Sequence, residues 1–290
     1  MANIRWSVVV PVRGHSPDLA KLVAAMERQT LPVAEWELLV VDDGSAEPVR
    51  LPPGNGFAVK LIRQQPSGPG PARNRGVAAA RGEWVAFTAA DCEPAPDWLS
   101  RLEKAALHSP DTALGGTVRC GLPRSSTAMT SHLIVEHLTS RLNRDPQDAR
   151  FFTPNNLAVP AKSFRSIGGF GSDYGLGTGE DRDFCARWRA SGRRIVAAPE
   201  AVVVHTHPLT LRGLLRQQYR YGRGSGIYRR SQQSAGTPVP FESARFYLEA
   251  FLAPWRGSAP CENRWVVAAL MGASQAINAV GVVRELAAGK

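Results

Sequence analysis

The residues of this sequence that could do chemistry sit at the ends of apolar runs. Asp91, with Glu93 close behind, follows the run 83–87 and precedes Pro94 and Pro96. A carboxylate at the carboxyl end of a strand lies where open α/β sheets bind ligands, although the same residue could equally be a turn or N-cap before the helix expected near 97–99. Asp42 and Asp43 follow the run 36–41 and lead into Gly44 and Ser45. Such a loop can accept hydrogen bonds from a base or ribose, or simply form an Asx turn. Glu180, Asp181 and Asp183 come after a glycine-dense stretch at 168–179. Acids are favoured at a helix start, and the glycines before them permit close approach of a ligand. His205 and His207 close the run 201–204. In an extended segment they point the same way, and either could join Asp91 on a divalent metal, since imidazole and carboxylate suit Mn2+.

The elements that must carry these groups can be read from periodicity. The β-branched run 7–12 predicts a buried parallel strand, and 17–29 has helical spacing through Leu19, Leu22, Val23 and Met26. Strands are expected at 36–41 and 59–63, and Gly68-Pro69-Gly70-Pro71 is expected to be a loop. A helix over 72–80 would place Arg73 and Arg75 in its first turns, a position that a phosphate partner would explain. Further expectations are a strand at 83–87, a helix at 98–108, strands at 113–118 and 155–159, and a basic helical stretch over 122–150. A helix from about 184, a strand near 195, a strand at 201–204 and a basic helix at 214–223 with interleaved tyrosines complete the middle of the chain. The strand–helix alternation implies an open, mostly parallel sheet flanked by helices, with a helical, alanine-rich C-terminal extension.

The 290 residues are 43% hydrophobic and 21% charged, which excludes a disordered chain. The net charge is +10, carried mostly by Arg, which makes anionic ligands plausible; a GC-rich, bacterial genome is the duller source of the same bias. The four cysteines form no CxxC, so neither a zinc site nor a disulfide framework is indicated, and a reducing cytoplasm is expected. No apolar signal segment opens the sequence. The uncharged stretch 265–283 is long enough to span a bilayer, but Ser274, Gln275, Asn278 and its alanines favour a packed helix. No dinucleotide fingerprint follows the first strand and no P-loop occurs.

Taken in order, the segments 8–14, 40–45, 72–76, 87–94, 177–183 and the His205/His207 strand resemble the inverting family-2 glycosyltransferases of the GT-A fold, over roughly residues 5–225. That resemblance implies a domain at 1–225, with a nucleotide-sugar half at 1–110 and an acceptor half at 111–225, then an extension at 226–290. It implies a UDP-, GDP- or dTDP-sugar donor and a divalent cofactor, Mn2+ or Mg2+. Donor contacts carry over to Pro11, Arg13, Asp42, Asp43, Arg73, Ala90, Asp91 and Arg220, with Asp43 matching the acid that reads the nucleobase. Asp91 corresponds to the last acid of the DxD metal motif, and His205, with His207 as alternate, to the metal- or diphosphate-contacting histidine. Glu180 and Asp181 match the acceptor motif, whose second acid is usually the general base. The segment 217–221 is similar to the QxxRW motif of processive members, with Tyr221 in place of Trp. Ala89 stands where the family has the first DxD acid, which weakens a hard-cation site.

The implied reaction is a single displacement at the anomeric carbon, with Asp181 ionised by the helix N-terminus and taking the acceptor's proton. Two other readings compete. Ala89 could mark a relative that binds nucleotide sugars without turnover, and the basic charge could mark a nucleic-acid binder. The acids at strand ends would repel phosphate, so no nucleic-acid partner is expected. A sugar nucleotidyltransferase lacks support, because the glycine-rich start is missing. The acceptor is not specified, and contact with the inner face of the membrane is left open.

Overall fold

The runs at 6–12, 36–43 and 84–87 become strands whose residues are buried on both faces, whereas the strand at 58–64 is exposed or half-buried throughout. In chain order the elements are β1 (Trp6–Val12), α1 (Asp18–Glu27), β2 (Trp36–Asp43), β3 (Ala58–Gln64), α2 (Pro69–Ala79), β4 (Trp84–Phe87) and β5 (Cys92–Pro94). There follow α3 (Trp98–Leu107), β6 (Ala113–Cys120), α4 (Ser126–Leu142), β7 (Leu157–Pro160), α5 (Ala161–Ser166), α6 (Glu180–Ala190) and β8 (Ile195–His205). The last are α7 (Leu211–Ser234), α8 (Ala244–Phe251), α9 (Ala253–Arg256) and α10 (Arg264–Ala288). This computed structural model describes residues 4–14, 18–51, 56–174, 178–256 and 261–288.

The strands form one sheet in the order β3-β2-β1-β4-β7-β6-β8-β5. β1 pairs in parallel with both β2 and β4, and β2 with β3. Beyond β4 the pairing turns antiparallel, at β4–β7, β6–β7 and β5–β8. The sheet is therefore mixed, with its parallel part confined to the first four strands. Parallel neighbours are reached through helices or a long loop, as that pairing requires, and the antiparallel neighbours are likewise far apart in sequence, β6 and β7 being joined through α4.

Several elements differ from expectation for local reasons. Helix α2 begins at Pro69 rather than after the prolines, because the first turn of a helix has no use for their missing N–H groups. The acids Asp42 and Asp43 are the last two residues of β2 rather than a loop after it. The expected strands near 195 and at 201–204 are one strand, β8, which runs through Pro199. Of the stretch 122–150, only 126–142 is helical. The short strand β5 lies where Pro94 suggested an end; its pairing partner β8 is more than a hundred residues away in sequence and could not be read from the local pattern.

The chain forms two compact units. The first comprises Met1–Arg119, Asn143–Leu176 and Asp181–His205; the second comprises Cys120–Leu142, Gly177–Glu180 and Thr206–Lys290. The second unit includes α4 and all of α7. The first unit is centred on the sheet, with Trp6, Trp36 and Trp98 wholly buried. Asn156 knots it: its Oδ1 accepts from the Trp98 indole at 2.9 Å, and its Nδ2 donates to Thr117 O and Ala201 O. In the second unit α7 and α10 approach backbone to backbone, because a Cβ at Gly222 would collide with the Asn278 carbonyl. A smaller core joins Met129 and Leu133 of α4 to Val267 and Met271 of α10.

Candidate active site

Asp91 is placed by two constraints. The turn after β4 closes with Cys92 N donating to Ala89 O at 3.0 Å, and it contains Ala90 and Asp91. The antiparallel register of β5 on β8 then sets Cys92 opposite His205. Asp91 and His205 consequently meet, with Nε2 3.1 Å from Oδ2, and each side chain stays about a quarter exposed, 25% and 27%. A hard carboxylate oxygen and an imidazole nitrogen this close, both reachable from solvent, fit a divalent ion. His207 follows two residues later, at the start of the second unit, and is another side chain with a metal-binding nitrogen. Burial first, and the Asp91 charge second, push the thiol of the neighbouring Cys92 up to about 12.

The acids at the end of β2 organise loops. Asp42 is buried and accepts from Ser45 N at 2.8 Å and Val49 N at 3.5 Å, with Arg63 at 3.4 Å. Burial by itself would raise its pKa, but the hydrogen bonds from Ser45 and Val49 and the Arg63 charge outweigh that and hold the carboxyl below its ordinary value. Asp43, also buried, accepts from Gln64 Nε2, Ser67 N and Gly68 N, all at 2.8 Å. It thereby fixes the approach to α2. Gly14 N donates to Ser45 Oγ at 2.8 Å, joining this loop to the end of β1, where Pro11 is part-buried and Arg13 exposed.

Arg73 and Asp181 share an electrostatic neighbourhood. Arg73 on α2 is 6% exposed and lies 5.5 Å from the Phe170 ring centroid. Asp181, in the first turn of α6, receives the Arg182 N–H at 2.8 Å. Burial raises its pKa, opposed by that hydrogen bond and then by the charges of Arg73 and Arg182. Desolvation is thus the largest influence on this carboxyl. Arg73 also acts on Cys92, next to Asp91, so its charge reaches both Asp181 and the neighbour of the Asp91–His205 pair within the first unit.

The second unit carries Glu180, His207 and Arg220. Glu180 is buried, and the residues before it are held on α7: Thr178 Oγ1 donates to Arg220 O at 2.9 Å, and Gly224 leaves room for the Thr178 carbonyl. Gly179 adopts φ 110°, a conformation that suits glycine. Gly175 and Gly177 lie outside the described residues. Gln217 accepts from Ser131 at 2.8 Å, linking α4 to α7.

Three residues carry positioning roles that sequence reasoning did not assign. Asn74 is bonded through both side-chain ends to Phe170, donating to its O at 2.8 Å and accepting from its N at 2.9 Å. Arg63 donates to Ser45 O at 2.8 Å, and Asn156 knots the sheet as described above. Asn74 lay within a noticed segment, but its partner is 96 residues away.

The model of "Glycosyl transferase family 2" matches residues 7–168, and that of "Glycosyl transferase family group 2" matches residues 88–274. A pre-mycofactocin glycosyltransferase of Mycobacterium tuberculosis is 30% identical over 227 residues, covering 74% of this chain but only 46% of its own length. The chain thus spans about half of that relative. Glycosyltransferase AglE of Haloferax volcanii is 27% identical over 226 residues, covering 75% of this chain and 72% of its own. Among solved structures, the mannosyltransferase PcManGT from Pyrobaculum calidifontis, in complex with GDP-Man and Mn2+, aligns with TM-score 0.60 at 21% identity, over 98% of this chain and 79% of its own. S. aureus TarS 1–349 with UDP-GlcNAc aligns with TM-score 0.54 at 15% identity, over 98% of this chain and 91% of its own. The α/β fold is that of GT-A glycosyltransferases.

Proposed function

The chain belongs to glycosyl transferase family 2, and from that premise we propose that it transfers a sugar, with inversion, from a nucleoside-diphosphate sugar to an acceptor nucleophile. The observation that carries this reading is the Asp91–His205 pair, brought together by the turn after β4 and the end of β8, with the charge of Arg73 acting both on Cys92 beside it and on Asp181.

In this reading the acceptor's nucleophile attacks the anomeric carbon while the bond to the diphosphate oxygen breaks on the opposite side. Asp181 takes the nucleophile's proton, its carboxylate oriented by the Arg182 N–H. The electron pair of the broken bond leaves with the nucleoside diphosphate, and the Arg73 guanidinium offsets the charge that develops there. Asp91 and His205, with His207 next along the chain, would hold a divalent ion, Mn2+ or Mg2+, which when bound supplies Lewis-acid stabilisation of the diphosphate. Asp42 and Asp43 shape the nucleoside-side loop together with Pro11 and Arg13, Ala90 lies beside the diphosphate, and the resemblance to the family assigns Glu180 to the acceptor and Arg220 to the donor. No covalent sugar–enzyme bond is needed, because one displacement inverts the centre. Support for the donor class comes from relatives whose structures hold GDP-Man, UDP-GlcNAc or UDP.

Cytoplasmic residence is part of the proposal, supported by four cysteines that are all free thiols. The deciding experiment incubates the protein with a panel of UDP-, GDP- and dTDP-sugars, with and without Mn2+, and measures release of the nucleoside diphosphate. Metal-stimulated release from one donor supports transferase chemistry. Ala89 favours a second reading, a binder without turnover; tight donor binding with no release over hours would establish that one instead.

A further inference from the structure

Helix α10 has a solvent face unlike that of an ordinary surface helix. Trp265, Ala269, Ala273, Ala276, Val280 and Val283 recur at helical spacing and are all exposed, Trp265 at 75% and Val283 at 66%. No charged residue interrupts the helix between Arg264 and Arg284. The outward stripe is therefore apolar for about 27 Å at the helical rise per residue. By length and composition α10 is apolar enough to cross a membrane, yet only 33% of its most apolar stretch is buried. A soluble helix normally places polar residues on such a face. The apolar surface continues onto the adjacent helices. Trp265 packs on Trp255 with ring centroids 4.8 Å apart, Trp255 on Phe251 at 6.4 Å, and Leu248 of α8 is 59% exposed.

Charge borders this surface. Helix α7 carries six arginines and no acid, and Arg212, Arg216, Arg220 and Arg223 follow one another at spacings of four, four and three along an exposed face. Arg284, at the end of the apolar stripe, donates to Tyr219 Oη of α7 at 2.5 Å, which ties the two rows together. Glu285 on the packed side of α10 pairs with Arg223 at 2.9 Å and Arg230 at 2.8 Å. A spanning α10 would drag this ion-paired, arginine-rich partner into hydrocarbon at high cost. An α10 that lies in the interface keeps its apolar stripe in the acyl boundary and the arginines among headgroups.

We propose that the exposed face of α10, continued by α8 and α9 and flanked by the arginine row of α7, docks on an anionic lipid bilayer, lying along the surface rather than crossing it. The charge of α7 selects this occupant over a second copy of the chain, whose own α7 would bring like charge to the contact.

The test is flotation of the 290-residue chain with vesicles of phosphatidylcholine alone or mixed with phosphatidylglycerol. Wild type should float with the anionic vesicles at low salt, at least tenfold less with neutral ones, and less as salt rises. The emission of Trp265 should shift to the blue and be quenched by brominated lipid. Trp265→Glu/Val280→Glu/Val283→Glu alters only exposed positions, so its circular dichroism should match wild type while vesicle binding falls at least tenfold. Arg212→Gln and Arg216→Gln should each weaken binding about fivefold. Absence of wild-type flotation, or flotation of the triple variant equal to wild type, overturns the proposal. Resistance to alkaline carbonate extraction would show a spanning helix instead. A wild-type dimer in solution that the triple variant converts to monomer, without vesicle binding, would assign the face to a second copy.

Discussion

Asp181 must be ionised to accept a proton, and its surroundings decide the pH at which it is. Burial lifts its pKa above the ordinary aspartate value of 3.8, against the pull of the Arg182 N–H and the charges of Arg73 and Arg182. A base works only when deprotonated, so turnover should fall as pH drops through that raised pKa and recover above it. The acid limb of the kcat/KM profile is thus expected above pH 3.8 and should vanish in Asp181→Asn. That variant keeps the side chain's shape and should lose about a hundred- to ten-thousand-fold in kcat, with donor affinity little changed. Wild-type turnover by Asp181→Asn would leave helix capping as the better account of this acid. The Asp91–His205 contact supports a second expectation. Asp91→Ala should abolish any Mn2+ dependence of donor binding, and His205→Ala should weaken it, as titration calorimetry with and without EDTA would show. Unaltered metal dependence in both variants would place the ion elsewhere.

At the scale of elements, the position of the 178–180 segment depends on how closely it approaches α7. A Cβ on Gly224 would run into the Thr178 carbonyl, which cannot give way as a flexible side chain can. Gly224→Ala should therefore displace Thr178 and Glu180 and lower acceptor turnover by an order of magnitude or more. The fold of α7 itself should tolerate the change, since alanine is the better helix former by about 1 kcal/mol. Gly213→Ala makes the control: its new Cβ would meet only side chains, the nearer being Thr210 Oγ1 at 3.2 Å. Equal kinetics for the two variants would show that the close packing at Gly224 has no bearing on the acceptor side.

On the scale of the whole molecule, binding and stability are linked, because a donor that binds only the folded chain adds to its free energy of folding. At a donor concentration of about a hundred times Kd this amounts to about 2.7 kcal/mol. For a protein of this size that is a rise in Tm of about 5 °C or more. The rise should require both the nucleotide sugar and the divalent ion, and differential scanning fluorimetry across the donor panel would identify the nucleotide. A rise with the ion alone would indicate a metal site unconnected to the donor. The charge of the chain also acts at this scale. Its net +10 includes the acid-free helix α7, so association with anionic surfaces should weaken with salt, whereas donor binding at the partly buried pair should respond much less.

Periodicity and strand-end chemistry made much of this protein legible before any coordinates. The parallel strands β1, β2 and β4 are short β-branched or aromatic runs that bury both faces, a local property, while β3 is an exposed edge strand, and the acids and histidines stood out because they end such runs. The family followed from the order of those segments. What needed the tertiary structure were pairings between distant residues. The antiparallel half of the sheet depends on which strand lies beside which, and Pro94 hid β5 because only its register on β8 makes it a strand. That same register joins Asp91 to His205, 114 residues apart. Asn74 lay in plain view in the sequence, but its role needs Phe170 beside it. The ionisation of Asp181 likewise could not be read from its place at a helix start, because desolvation is set by whatever packs over the carboxylate. The stretch 265–283 marks the division most clearly. Composition established that it is an apolar helix; only packing against α7 and α4 decided which of its faces is covered and which meets solvent.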